Sequence, residues 1–142
     1  MIWVCGAYFS PNREKIALIR KNRPDWQKGS YNLIGGKLER QETPQEAMAR
    51  EFEEETSFKT LPSDWAGFLT LYVDGNTVHF LRNFGPIDQI KTMTDEKVEI
   101  FYTDCLPSNT IDNLGWIVPL ALYSDRIYPF NVWYKPKEGR IK

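Results

Sequence analysis

The stretch from residue 43 to residue 56 constrains the fold most, because it carries a full set of helix-start signals. Thr43 is a favourable N-cap, Pro44 suits the first helical position, and Glu46 follows three residues after the cap, which together predict a capping box. Three apolar side chains then recur at helical spacing: Met48, Ala49 and Phe52. We therefore predict one strong helix at about 43–56, with this apolar stripe docked on a sheet.

Acidic residues crowd the last turns of this predicted helix: Glu51, Glu53, Glu54 and Glu55. Glu51, Glu54 and Glu55 are spaced i, i+3 and i+4, so they share one face, whereas Glu53 points to solvent. Each like-charged pair costs about 0.2–0.5 kcal/mol, and the helix dipole opposes each anion by about 0.3–1 kcal/mol. A divalent cation such as Mg²⁺ would reverse this penalty, because hard cations bind carboxylate oxygens. The alternative interpretation is a solvated acidic face.

Most of the remaining chain is predicted to form strands. Apolar or alternating runs bounded by turn residues are found at 2–9, 15–20, 31–34, 65–74, 77–84, 98–103 and 128–134. We expect Gly35 and Gly36 to end the third strand, and Asp74-Gly75-Asn76 to form a hairpin turn. Residues 113–123 fit a strand end that enters a short helix, and the basic tail 135–142 is expected to fray. Strands with one strong helix indicate the α+β class.

The composition excludes several classes of protein. With 42% hydrophobic, 14% aromatic and 26% charged residues, the chain has the balance of a globular protein, and residues 1–142 suffice for a single domain. No apolar run of about 18 residues predicts a membrane span, and the absence of a recognisable targeting signal makes the cytoplasm the expected location. A net charge of −1 argues against binding to long nucleic acid, but it allows a small anionic substrate.

Histidine and cysteine offer little chemistry. Cys5 and Cys105 lie far apart without a Cys-x-x-Cys pattern, so neither a disulfide framework nor a zinc finger is expected. His79 is the only histidine, and we interpret it as a strand side chain. Any catalytic or metal chemistry therefore depends on the carboxylates.

Six residues complete a spacing pattern around the acidic helix, G-x5-E-x7-R-E-U-x-E-E-x-G-U, where U is a bulky apolar residue. They are Gly36, Glu42, Arg50, Glu51, Glu54 and Glu55. The stretch from Gly36 to Phe58 resembles the Nudix box. Ser57 stands where that box has a glycine, and Phe58 replaces an aliphatic residue. If a positive φ is kept, Ser57 should cost on the order of 1 kcal/mol.

The resemblance implies a fold and a metal. It implies the Nudix α/β/α sandwich with a mixed sheet, and Mg²⁺ as cofactor, with Mn²⁺ as the alternative ion. Glu54 and Glu55 would be metal ligands, and the carbonyl of Gly35 would add an oxygen. Glu51 would bind metal or orient and deprotonate the attacking water, which makes Glu51 and Glu54 the catalytic candidates.

Other roles follow from the same resemblance. Glu42 and Arg50 would form a structural pair that fixes the loop against the helix, with Gly36 structural in the loop. A further acid outside the box would complete the metal site. Three acids are candidates, of which Glu96 is preferred: Asp95, Glu96 and Glu99.

The sequence defines the substrate-binding residues less clearly than the metal ligands. Arg20 and Lys37 are cations near the loop that could hold phosphates. Four aromatic or amide residues could contact a base: Trp26, Tyr31, Trp116 and Asn113, with Asn131 as a second amide candidate. We predict substrate contacts from Arg20, Lys37, Asn113 and Trp116.

Nudix enzymes hydrolyse a nucleoside diphosphate linked to another moiety. We expect a (d)NTP to be cleaved to a monophosphate and pyrophosphate by water attack on phosphorus, because the chain is short and lacks the proline that ADP-ribose enzymes carry after the box. The alternatives are an ADP-ribose or nucleotide-sugar pyrophosphatase, or a nucleotide-binding module without turnover. The expected partner is a small nucleotide, without long nucleic acid or membrane, and a homodimer stays open.

Overall fold

The computed structural model describes residues 1–124, 129–133 and 135. The first and last residues of the strand expected at 128–134, and all but the first residue of the tail expected at 135–142, lie outside these described residues. Within them lie two α-helices, α1 (Pro44–Thr56) and α2 (Leu114–Tyr123). The same described residues form eight strands: β1 (Ile2–Phe9), β2 (Lys15–Arg20), β3 (Tyr31–Asn32), β4 (Ile34–Lys37), β5 (Ala66–Val73), β6 (Asn76–Phe84), β7 (Val98–Tyr102) and β8 (Phe130–Trp133).

The described strands form one mixed sheet. Its main path runs β3-β2-β1-β6-β5-β8, while β4 pairs with β1 and β7 pairs with β2. β1 is parallel to β6 and β5 is parallel to β8, and the other pairs are antiparallel. The predicted hairpins β1–β2 and β5–β6 are confirmed. The central pair β1–β6 links strands far apart in the chain, and no local signal could have predicted it.

Residues 31–37 differ from the prediction. The expected strand at 31–34 is divided into β3 and β4, and β4 continues through Gly35 and Gly36 instead of ending there. Strand β4 pairs with β1 in the register Cys5↔Gly35. A Cβ built on Gly35 would lie 2.0 Å from the carbonyl oxygen of Val4. The glycine thus allows a close approach between two strands rather than a strand end.

The two faces of the sheet carry separate apolar cores, one under each helix. Along β1, Val4 and Tyr8 face the core that contains Met48 and Phe52 of α1. Alternate residues of β1 face the core that contains Leu114, Ile117, Val118 and Ala121 of α2: Cys5, Ala7 and Phe9. This period of two is the pleat of a strand that is buried on both faces. Helix, sheet and helix therefore form three layers, which confirms the α+β class and the α/β/α sandwich.

Helix α1 begins and ends as the sequence predicts. The Thr43 hydroxyl accepts from the N–H of Glu46 at 3.1 Å, and the Glu46 carboxylate accepts from the N–H of Thr43 at 2.8 Å. At the other end, Ser57 adopts φ 65° and ψ 2°, and its N–H donates to the Glu53 carbonyl at 2.9 Å. The left-handed conformation that a glycine would adopt freely is kept by a serine.

Helix α2 resolves the open interpretation of residues 113–123. The segment is helical from Leu114 to Tyr123 although Pro119 lies inside it. Two arginines bind its last carbonyls: Arg82 of β6 donates to Ala121 O at 2.6 Å, and Arg13, in the turn between β1 and β2, donates to Leu122 O. Such cations satisfy the C-terminal carbonyls and complement the helix dipole. No helix in the described part of the chain is long and apolar enough to span a membrane.

We predict that Ser57→Gly stabilises the protein. Glycine adopts φ 65° without the contact between Cβ and backbone that serine suffers there, so the gain should be about 1 kcal/mol. Urea unfolding followed by circular dichroism measures it. Ser63→Gly, in the 3₁₀ turn Pro62–Asp64, is the matched control and should not stabilise. Equal effects of both substitutions would contradict the prediction.

Candidate active site

The carboxylate of Glu51, on helix α1, lies directly against Gly36 of strand β4. A Cβ built on Gly36 would lie 2.3 Å from Cδ of Glu51 and 2.4 Å from its Oε1. Real Cβ atoms essentially never come so close, so a side chain at this position would displace the carboxylate. The missing side chain in β4 therefore leaves room for Glu51, the first of the clustered acids.

The clustered glutamates of α1 differ in solvent exposure according to the helix face on which they lie. Glu51 and Glu55 are half-buried, Glu54 has 56% of its side chain exposed, and Glu53 is exposed, as the helical spacing predicts. Burial raises the pKa of Glu51, with Glu54 and Glu55 adding to the rise and Arg50 opposing it. Burial also raises the pKa of Glu55, a hydrogen bond from Thr94 opposes the rise, and the charge of Glu96 adds to it. The carboxylates of Glu51 and Glu55 are therefore held in surroundings that disfavour their ionised form.

Arg50 connects this acidic face to the preceding loop. Its Nε and Nη2 donate to the two oxygens of Glu42 at 2.7 and 3.0 Å. Its Nη1 donates to Oε1 of Glu51 at 2.9 Å, and Nη2 also donates to the Lys37 carbonyl at 3.1 Å. The hydrogen bond from Arg50 lowers the pKa of Glu42, and the acids raise the pKa of Arg50. The bidentate pair with Glu42 holds loop and helix in one arrangement.

The donor chemistry of this face fits a hard divalent cation. Glu51, Glu54 and Glu55 present carboxylate oxygens close enough to influence one another. Among the described residues, no group of three or more His, Cys, Asp or Glu side chains stands ready to hold an ion by itself. Mg²⁺ does not need such a cage, because it keeps several waters and binds through one or two carboxylates plus substrate phosphates. The residues therefore fit Mg²⁺ as a partial ligand set.

The acid preferred outside the box, Glu96, is engaged by protein donors. It is 4% exposed, and its Oε1 lies 3.0 Å from Nζ of Lys21. Its Oε2 accepts from the N–H groups of Asn22 at 2.6 Å and Arg23 at 3.3 Å. Burial opposes its ionisation, but these donors outweigh burial and lower the pKa of Glu96. Glu96 thus anchors the segment 21–23, and its metal role stays a prediction.

The other two candidate acids outside the box also have donors. Asp95 accepts from the Arg23 guanidinium and from Nδ2 of Asn22. Glu99 accepts from the hydroxyl of Tyr31, which is buried at the edge of the sheet. These contacts tie the segments around residues 22 and 31 to the strand β7 and the loop before it.

A cleft of about 480 Å³ opens beside this acidic face, since Gly35 and Gly36 belong to its lining. Trp3, Trp26 and Phe80 give it aromatic walls. Lys21 is the only Lys or Arg among the described lining residues. Arg20, a cation predicted from the sequence, is not among these lining residues, whereas Lys21 was not predicted. Nothing local separates these adjacent cations, because the partner that holds Lys21 is Glu96, 75 positions away.

Asn113 is the predicted substrate residue that the structure brings to the cleft. It occupies the N-cap position of α2, yet its side chain makes no capping hydrogen bond. Its Oδ1 is buried without a hydrogen-bond partner among the described residues. A buried acceptor without a partner costs about 1–3 kcal/mol, and a donor on a ligand would recover that cost. Asn113 is therefore suited to read a polar group.

The remaining predicted substrate residues lie outside the described cleft lining. Arg20 ends β2 and Lys37 ends β4, and both are exposed. Trp116 is 39% exposed on α2. Among the other candidates, Trp26 lines the cleft, Tyr31 is buried, and Asn131 is exposed on β8. Of the four substrate-binding residues predicted from the sequence, only Asn113 is among the described residues that line the cleft.

Comparison with known proteins identifies similar domains. A family model described as NUDIX domain matches residues 4–117. A MutT protein from Bacillus halodurans is 19% identical with a TM-score of 0.71, covering 95% of this chain and 90% of its own. A NUDIX hydrolase from Nitrosomonas europaea is 17% identical with a TM-score of 0.70, covering 94% and 79%. A MutT/nudix family protein from Enterococcus faecalis is 18% identical with a TM-score of 0.64. That match covers 71% of this chain but only 43% of the other protein. At these identities the solved structures show the shared fold.

We predict that Gly36→Ala displaces the Glu51 carboxylate and weakens divalent-cation binding about 10-fold or more, because a metal site tolerates little movement of a ligand or its support. Titration with Mn²⁺ followed by electron paramagnetic resonance measures this. Gly67→Ala is the matched control, since a Cβ at Gly67 meets nothing within 4 Å. Retained affinity in Gly36→Ala, with the fold intact, would contradict the role of this close approach.

We predict that Glu96→Gln destabilises the metal-free protein at pH 7 by about 1.5–3 kcal/mol, the range for hydrogen bonds to charged groups. The lowered pKa of Glu96 means that its contribution is complete above about pH 4.3, the ordinary glutamate value, and is lost as pH falls through the folded-state pKa. The difference between wild type and variant should therefore shrink in acid. Urea unfolding between pH 3 and 7 tests this, with Glu53→Gln as an exposed control expected to change stability little.

Proposed function

The chain belongs to the Nudix family, and we propose that it hydrolyses a nucleoside or deoxynucleoside triphosphate to a monophosphate and pyrophosphate. Members of this family act on nucleoside diphosphate derivatives, generally with Mg²⁺. The observation that carries the proposal is one juxtaposition. Gly36, against which the Glu51 carboxylate of the acidic helix lies, also lines a cleft large enough for a nucleotide, together with its neighbour Gly35.

The cation would be held by the carboxylates of Glu51, Glu54 and Glu55 together with the carbonyl of Gly35. Bound there, Mg²⁺ would neutralise phosphate charge, align the phosphorus and lower the pKa of a water, and Mn²⁺ is the alternative ion. A helix presents these ligands on a rigid element, which keeps them in place between turnovers.

Glu51 is the residue we assign to the attacking water. Its carboxylate is half-buried, its pKa is raised, and Arg50 holds its Oε1 at 2.9 Å. A carboxylate fixed in this way can orient a water beside the cation and accept its proton. Arg50 acts on the orientation of Glu51 and not on the substrate.

The organic part of the substrate would occupy the cleft. Lys21 is positioned for a phosphate, and Trp26 for stacking on a planar base. The Oδ1 of Asn113 has no hydrogen-bond partner among the described residues, so it can accept from a ligand. An amino group or a ring N–H of a base would supply that donor. This combination supports a nucleotide substrate, contacted through one cation, one aromatic side chain and one amide.

We predict that the protein, with Mg²⁺, releases monophosphate and pyrophosphate from one or a few triphosphates in a panel of canonical and oxidised (d)NTPs, ADP-ribose and dinucleoside polyphosphates. Glu54→Gln should lower kcat about 100-fold or more, because metal stabilisation of the transition state is worth several kcal/mol. Chromatography of the products and an EDTA control measure both effects. Glu53→Gln removes the same charge from an exposed position of the same helix and should keep full activity.

Each alternative gives a different result in this assay. Two monophosphate products from ADP-ribose or a nucleotide sugar would identify the other pyrophosphatase class. Nucleotide binding without any Mg²⁺-dependent product would identify a binding module. Full activity in Glu54→Gln would overturn the site assignment. We further propose action in the cytoplasm on a free nucleotide, with sedimentation to test for a homodimer.

A further inference from the structure

The segment of residues 85–97, between β6 and β7, is fixed against the sheet where it begins. The N–H of Gly85 donates to Phe9 O at 2.9 Å, and the Tyr8 hydroxyl donates to Pro86 O at 2.9 Å. A Cβ on Gly85 would lie 2.3 Å from that hydroxyl oxygen. Tyr8 itself packs on Phe52 of α1, with ring centroids 4.6 Å apart. The segment therefore starts from a defined position relative to the acidic helix.

The same segment then covers the C-terminal end of α1. The N–H of Lys91 donates to Thr56 O at 3.0 Å, and the N–H of Met93 donates to Glu55 O at 3.2 Å. The last carbonyls of a helix have no partner within the helix, so these two bonds satisfy groups that would otherwise need water. They also hold residues 91–94 within reach of the side chain of Glu55.

Thr94 makes that side-chain contact. Its Oγ1 donates to Oε2 of Glu55 at 3.0 Å and accepts from the N–H of Glu96 at 3.2 Å. The carbonyl of Glu96 lies farther from Oγ1, at 3.5 Å. A hydroxyl has one hydrogen to donate, and the shorter contact directs it to Glu55. The bond from Glu96 N–H orients the hydroxyl oxygen in advance.

Glu55 needs such a donor because of its surroundings. It is half-buried and feels the negative charges of Glu54 and Glu96, against the positive charges of Lys21 and Arg23. A mobile carboxylate in that field would turn away from its acidic neighbours. A fixed hydroxyl on Oε2 holds it and leaves the other oxygen, Oε1, for a cation.

We propose that Thr94 is a positioning residue for Glu55: its hydroxyl holds Oε2 so that the carboxylate presents its other oxygen to the divalent cation. This inference rests on the proposed function, since Glu55 is assigned there as a ligand. It adds a residue outside the box, on a different segment, to the set that determines metal affinity. Partners that orient metal ligands typically contribute 10–100-fold to affinity.

The test compares Mn²⁺ affinity, by electron paramagnetic resonance without substrate, in wild type and variants. Thr94→Val should raise the dissociation constant about 10-fold, and Thr94→Ser, which keeps the hydroxyl, should restore it. Thr92→Val is the matched control. The Thr92 hydroxyl accepts from Val98 N–H at 2.9 Å in the same segment but makes no contact with Glu55 in the structure. It should leave the affinity unchanged.

A double-mutant cycle separates positioning from general loosening of the segment. In a Glu55→Gln background, Thr94→Val should weaken Mn²⁺ binding no further, because it acts through the carboxylate already removed. Additive losses, an equal loss in Thr92→Val, or unchanged affinity in Thr94→Val would overturn this inference. If wild type binds Mn²⁺ and Glu55→Gln weakens it, the proposed function survives such a result. Absence of Mn²⁺ binding in wild type would overturn both.

Discussion

The site depends on one close approach, that of helix α1 to strand β4 at Gly36. A strand residue with any side chain would displace the Glu51 carboxylate from this position, since even a Cβ would overlap it. The apolar core of Tyr8, Phe52 and Trp65 holds the helix at that distance from one side. Packing therefore places a carboxylate where solvation alone would not, and the rest of the site is arranged around that carboxylate.

The acids at the end of α1 oppose local stability, and they are compensated by an arginine of the same helix and by a distant segment of the chain. The capping box stabilises only the other end of the helix. Arg50 neutralises part of the face toward the loop, and the segment 91–94 satisfies the last carbonyls. What remains is an excess of negative charge on a rigid surface, and its favourable partner is a cation.

The sequence predicted what depends on local signals. Residue spacing predicts the limits of α1, its caps and the common face of its acids. Turn chemistry predicts the hairpins β1–β2 and β5–β6. The extension of β4 through Gly35 depends on the neighbouring strand. Lys21 depends on Glu96, and Thr94 on Glu55, and both partners are distant in the chain. Neither Lys21 nor Thr94 belongs to a recognisable local motif, so the sequence does not favour Lys21 over the adjacent Arg20.

The charge of the cleft connects these observations to the proposed chemistry. Lys21 is the only Lys or Arg among the described lining residues, and its charge is already shared with Glu96, while Asp74 belongs to the same lining. Under the proposed function, a triphosphate entering this cleft would meet too little positive charge to balance its own. The balance would come from a cation held by the glutamates beside Gly36. Substrate binding would then depend on the bound metal, and the acidic face that destabilises the helix alone would become the element that makes the cleft attractive to phosphate.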